Sequence, residues 1–332
     1  MLRRTTALLA VTAAVSALLT LGSVAASPAA VQALDPFPRD FATWHETPLA
    51  TPGGRADAIA TDASGQVWYS DSLSNQIVGL RPDTGTQTVH DLGAVRPGIT
   101  SLAMGADGML WFNDLSHGAV GRLDPVSGAV ETFPLGAPTD SAMSLTSTPD
   151  GLMWFGDLDH GGLASITGDG TITRHPDPDG ALAMHLVRAT DGRLWYTRDG
   201  LTSLGVLDPR TGAVDLVPLG LVGFSGLAAS PAGDVWVGGF GGVARVSPAG
   251  GVTIVPVSAV PWAPAVPVSL VAGEHSALYF TDENGGLGRV DFADHVDFLR
   301  PPFTGATPDR LAVTPTGTLW YTDFTRSTLG SL

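Results

Sequence analysis

Six ionisable residues recur at one phase of this 332-residue sequence. Asp71, Asp114, Asp157, Arg198, Asp282 and Asp323 each stand three residues after a tryptophan or tyrosine, and Gly239 takes that place once. Carboxylates grouped in this way offer oxygen ligands to a hard cation, Mg²⁺ or Ca²⁺, with Asp282 and Asp323 as the leading pair. They equally suit a grip on a cationic or polyhydroxyl small molecule. A plainer use competes, since aspartate closes a strand by accepting hydrogen bonds from the N–H groups of its own turn. Beside the series stand Asp57, Asp309 and His185, the candidates for moving a proton, with His185 either packed or facing a site. His117 and His160 occupy matching loop positions near Asp114, Asp157 and Asp159, and read as solvated more readily than as a shared metal site. Trp262, among prolines between Ser258 and Val268, could wall a pocket and hold an apolar ring or a sugar.

The elements that must position these groups form a repeat. Its anchors are Trp68, Trp111, Trp154, Trp195, Trp236, Tyr279 and Trp320, spaced 43, 43, 41, 41, 43 and 41 residues apart. Each unit has short apolar runs separated by Asp-Gly or Ser-Gly pairs, as in Ile99 to Met104, the turn Ala106-Asp107-Gly108, and Met109 to Phe112. Such runs are hairpin-connected strands. Four of them in a unit of about 40–45 residues make one propeller blade. The last unit ends after its third strand, and a fourth that fits it, Ala42 to Leu49, lies near the N-terminus. An all-β, seven-bladed propeller closed by its N-terminal strand is the expected fold. In that geometry the ends of the aromatic strands and the starts of the innermost strands share one face. The carboxylates of blades six, seven, one, two and three form an arc there, followed by Arg198 and by a gap at Gly238-Gly239-Phe240-Gly241-Gly242.

Residues 1–33 are expected to be an export signal and short linker. Arg3 and Arg4 precede an apolar run, and small-residue sites near 26 and 33 suit a signal peptidase. Residues 34–332 would form the propeller, a secreted monomer with no stable membrane insertion once the signal is cleaved. The chain has no cysteine and no lysine, and 17 arginines face 32 acidic residues for a net charge of −15. That field repels nucleic acids, which leaves a small molecule or an envelope component as partner.

Gly105 to Asp114 (Gly-Ala-Asp-Gly-Met-Leu-Trp-Phe-Asn-Asp) and Val120 to Leu135 resemble the repeats of the virginiamycin B lyase family, the streptogramin B lyases. The resemblance runs over nearly the whole expected mature chain. It implies Mg²⁺-assisted β-elimination that opens a cyclic depsipeptide, with a histidine in a Pro-His-x-apolar phrase opening the inner strand of blades six and seven. In this sequence those phrases are Pro267-Val268-Ser269-Leu270 and Pro308-Asp309-Arg310-Leu311. Val268 and Asp309 thus stand where the resemblance puts histidines, Thr307 where it puts a glutamate, and Asp323 near the place of a second. An elimination needs a base that is neutral and strong near pH 7. Valine cannot serve, and an exposed aspartate with a pKa of about 4 serves poorly. The expectation is a small-molecule binder of this family. A metal-assisted lyase or hydrolase using Asp309, Asp323 and Asp282 beside His185 or Asp57 is one alternative, and a protein-interaction scaffold is another.

Overall fold

The computed structural model describes residues 44–332, apart from 94–97, 261–262, 265, 274–277, 284, 292 and 300. Residues 41–332 belong to one compact unit, and the expected signal and its cleavage sites lie outside the described residues. Seven four-stranded antiparallel sheets follow one another along the chain. The first has Ala56–Thr61 innermost, then Val67–Asp71, Gln76–Arg81 and Thr86–Asp91. A two-stranded hairpin, Ser258–Val260 with Ala263–Pro264, decorates the connection between blades five and six. No helix occurs among the described residues.

The ring closes through a strand from the far end of the chain. His45–Pro48 pairs antiparallel with Thr328–Ser331, from His45 opposite Ser331 to Pro48 opposite Thr328, and completes blade seven. Glu46 fastens this pairing. It accepts from Arg326 Nε at 2.5 Å and Nη2 at 2.9 Å, and from the Thr328 hydroxyl at 3.0 Å. The Arg326 contact holds the Glu46 carboxyl below its ordinary value against the opposing effect of burial.

Apolar anchors fill the spaces between blades. Trp68 packs with Leu102, Leu110 and Phe112 of blade two, and Trp236 with Leu270, Leu278 and Phe280 of blade six. Trp320 reaches Ile59, Val67 and Tyr69, so blade seven meets blade one as any other neighbours meet. In blades two, four and six the aromatic residue after the anchor lies against the third strand. Gly121, Gly205 and Gly288 make room for Phe112, Tyr196 and Phe280, because a Cβ at any of them would overlap the ring. The outer strands of blades one, two and four are largely exposed, which puts the core in the radial seams and leaves the ends of the strands free to carry a site.

Candidate functional site

The six ionisable residues of the repeat end their second strands on one face, as the sequence predicts, but they are sealed. Asp71, Asp114, Asp157, Arg198, Asp282 and Asp323 are each at most 6% exposed. The carboxylates of Asp71, Asp114, Asp157 and Asp323 turn back into their own loops. Asp71 Oδ1 accepts from the N–H groups of Arg55, Leu73 and Ser74 at 3.0, 3.1 and 3.3 Å. Asp114 Oδ1 accepts from Ser116 and His117, and Asp323 Oδ1 from Thr325 and Arg326, all at 3.1–3.2 Å. Asp157 repeats the pattern with Asp159 and His160, and adds Arg174 Nε at 3.0 Å. In blade five Gly239 abandons the device, and Leu221 fills the space that a side chain at 239 would take.

Arg198 is the charge-reversed member of the series. Its guanidinium binds Asp177 through Nε and Nη2, both at 2.8 Å, and Asp179 at 2.5 Å, while Nη1 donates to Ser203 at 2.7 Å. Asp177 also accepts from the Tyr196 hydroxyl at 2.7 Å and from two backbone N–H groups. Although burial alone would raise it, these donors hold the Asp177 carboxyl down to about 2.

His117 and His160 carry matching geometry. Their Nδ1 atoms lie 2.7 Å from Asp114 and 2.9 Å from Asp157, with both rings about 40–45% exposed. Among the described residues no three His, Cys, Asp or Glu side chains gather as a metal site would require. The donor set does not fit Mg²⁺ or Ca²⁺ at Asp282 and Asp323 either. Asp323 already takes backbone donors on both oxygens, with Thr307 N on Oδ2, and a cation would have to displace them. Trp262 lies outside the described residues.

An open recess of about 480 Å³ does form on this face, where blades six and seven meet. Val268, Asp282, Glu283, Thr307, Asp309 and Phe324 line it. Val268 and Asp309 occupy equivalent places, one residue into their inner strands. The neighbouring blade extends the rim. Arg55 lies over the Phe324 ring at 4.7 Å and donates to Asp57 at 2.6 Å, and the negative charge of Asp309 also bears on it. A second recess, of about 450 Å³, opens at the opposite end of the inner strands. Its one carboxylate, Asp62, is engaged by Trp68 Nε1, Gln66 and Ser64. The first recess thus combines the carboxylates of Glu283 and Asp309, an exposed aromatic edge and the positions singled out in the sequence.

His185 lies on the inner strand of blade four, where its N–H donates to Thr197 at 3.0 Å. The residue is half-buried, and protein crowds it closely. Burial, with the charge of Arg310 behind it, lowers the imidazole to about 4 and keeps it neutral at pH 7. Sequence reasoning missed Arg310, Glu283 and Phe324. Only Arg310 had a usable signal, because neighbouring units carry small residues at its phase.

A closed all-β propeller with an acidic recess at the ends of its inner strands is the class of protein that this geometry defines. Residues 42–259 match the Virginiamycin B lyase family, and the chain belongs to it. The match ends before the two inner strands that border the recess. A streptogramin B lyase structure superposes with a TM-score of 0.78 at 21% identity, covering 88% of this chain and 98% of that one. A catalytically inactive virginiamycin B lyase from Staphylococcus aureus with quinupristin gives 0.78 at 21% identity, over 87% and 98%. The extracellular domain of a putative hybrid two-component system from B. thetaiotaomicron gives 0.70 at 14% identity, over 87% of this chain and 42% of that one. At these identities the superpositions establish the fold. No curated protein matches the chain.

Proposed function

We propose that this chain is an exported propeller that binds a small molecule in the recess between blades six and seven, without the elimination chemistry of its relatives. One observation carries the reading: Val268 and Asp309 line the recess at the two places where family resemblance puts histidines. Valine contributes only surface, and an aspartate beside Thr307 offers a negative charge in place of a neutral base. Glu283 and Asp309 suit a cationic group, and Phe324 with the methyl of Thr307 suits an apolar one. The ligand class is a small amphipathic cation, free or belonging to the cell envelope. Export is supported by the Arg3-Arg4 start and apolar run of the sequence.

The test exposes the protein without residues 1–33 to a type B streptogramin with Mg²⁺, and then with EDTA, and resolves the products by liquid chromatography and mass spectrometry. The expected outcome is antibiotic of unchanged mass and retention. A linear isomer of the same mass would overturn the reading, because elimination would then persist without the histidines. A product heavier by one water would establish a hydrolase, with Asp309 as the first residue to replace.

A further inference from the structure

The residue that leads into an inner strand lends its carbonyl to the loop beyond the anchor aromatic. Arg55 accepts from Ser72 N, Ser141 from Leu158 N, Leu182 from Asp199 N, Val266 from Glu283 N and Thr307 from Phe324 N, at 2.9–3.4 Å. Arg55 is the one charged residue in that series. Its backbone is pinned from both sides, because its own N–H donates to Asp71 Oδ1 at 3.0 Å. What remains to move is a long side chain, 41% exposed, whose Nε donates to Asp57 at 2.6 Å.

That arm ends at the recess between blades six and seven. Its guanidinium carbon lies 4.7 Å from the centre of the Phe324 ring, well within the range at which a ring quadrupole holds a cation. Phe324 lines the recess of about 480 Å³ together with Asp309 and Thr307, the residue of blade seven that matches Arg55 in blade one. The ring is 48% exposed, so a ligand in the recess can reach it. The negative charge of Asp309 also favours the guanidinium where it stands. Arg55 therefore already uses the aromatic face and the carboxylate that the recess offers to a ligand's cation.

We infer that Arg55 is a tethered competitor for the cation subsite of this recess, which rests on the recess being a site for an amphipathic cation. An incoming cation gains the Phe324 face only by lifting the guanidinium off it. Asp57 holds the arm through Nε, so the group that leaves the ring stays paired. The competition sets a threshold for binding. A bare ammonium ion replaces one cation–ring contact by another and gains little, whereas a cation with an apolar body adds burial that Arg55 does not supply.

Phenyltrimethylammonium, a cation carrying one apolar ring, is the probe, titrated by calorimetry and NMR at pH 7. Arg55→Gln should bind it about two- to fivefold more tightly than the unaltered protein, the range that an exposed cation–π contact represents. Arg55→Lys keeps the charge and should return most of that gain. In high salt, where long-range charge effects are screened, the gain should persist. It should vanish on a Phe324→Leu background, which has no ring to contend for. An equal gain on that background overturns the inference, because removal of one positive charge would then account for it. So does an Arg55→Gln affinity no tighter than that of the unaltered protein, and the recess itself stands in that case because the probe still binds. If neither protein binds the probe, the recess falls as a cation site and this inference falls with it. One readout needs no variant: the Arg55 Nε–H resonance should lose the ring-current shift of Phe324 as the probe saturates. A resonance that stays in place while the probe binds also overturns the inference.

Discussion

Replacing Arg198 by methionine tests whether the buried charge at this strand end belongs to the fold or to a ligand. The side chains of Asp177 and Arg198 are 0% and 2% exposed. Removing the guanidinium leaves a sealed carboxylate with the Tyr196 hydroxyl and the N–H groups of Asp179 and Ala181 as its remaining donors. Breaking one side of a buried pair costs roughly 3–5 kcal/mol. The three surviving donors put this case near the low end, at about 3 kcal/mol. For a folded unit of this size that corresponds to a fall in melting midpoint of about 5 °C. Urea unfolding of Arg198→Met, Asp177→Asn and the double variant measures it, with a coupling energy above about 2 kcal/mol expected for residues in direct contact. The linkage has a definite sign. The Asp177 carboxyl is held at about 2, below its ordinary 3.8. Its contribution is therefore complete above pH 4 and is lost as the pH falls from there towards 2, about 2 kcal/mol in all. Arg198→Met should lack that part of the acid transition. A loss below about 1 kcal/mol, typical of an exposed pair, would refute the reasoning. A fully stable variant that had lost a ligand would return Arg198 to the binding surface.

Three further outcomes follow from the same geometry. Trp236→Ala, which empties the seam between blades five and six, should cost about 3–5 kcal/mol in urea unfolding. Burial raises Tyr69 to about 12, and raises Tyr196 and Tyr321 further. Stability carried by their neutral hydroxyls is present below pH 10 and lost as the pH rises through the folded values. Ultraviolet titration should therefore show these three ionising only when the circular dichroism collapses. Millimolar Mg²⁺ or Ca²⁺ should leave the melting midpoint within a degree of its value in EDTA, and a saturable rise would reveal a cation site.

The fold was legible because its signals are periodic. An aromatic anchor every 41–43 residues, turn pairs between apolar runs, and an orphan strand at residues 42–49 admit few arrangements other than a ring. The site was less so, and Asp71 and Asp323 show why. Spacing places both on one face, but cannot tell an outward carboxylate from one folded into its own turn. Spacing puts Arg198 beside the acidic arc among the candidates for binding a ligand, and cannot show that its partner is Asp177, in the preceding connection. Pairing across 21 residues of irregular chain leaves no periodic trace. The influence of the Arg310 charge on His185, from blade seven to blade four, is likewise a product of ring closure, and no local pattern encodes it.

Glu46 and Arg326 meet across 280 residues of sequence. On a ribosome adding about 5–20 residues per second, the partner of the first strand appears some 15–60 s after the strand itself. For that interval blade seven cannot be completed, and the seam joining Trp320 to Tyr69 is an open apolar edge. The emerging chain should therefore stay loose and chaperone-accessible until its last residues arrive. On the export proposed above, that delay would keep the polypeptide unset while it crosses the membrane.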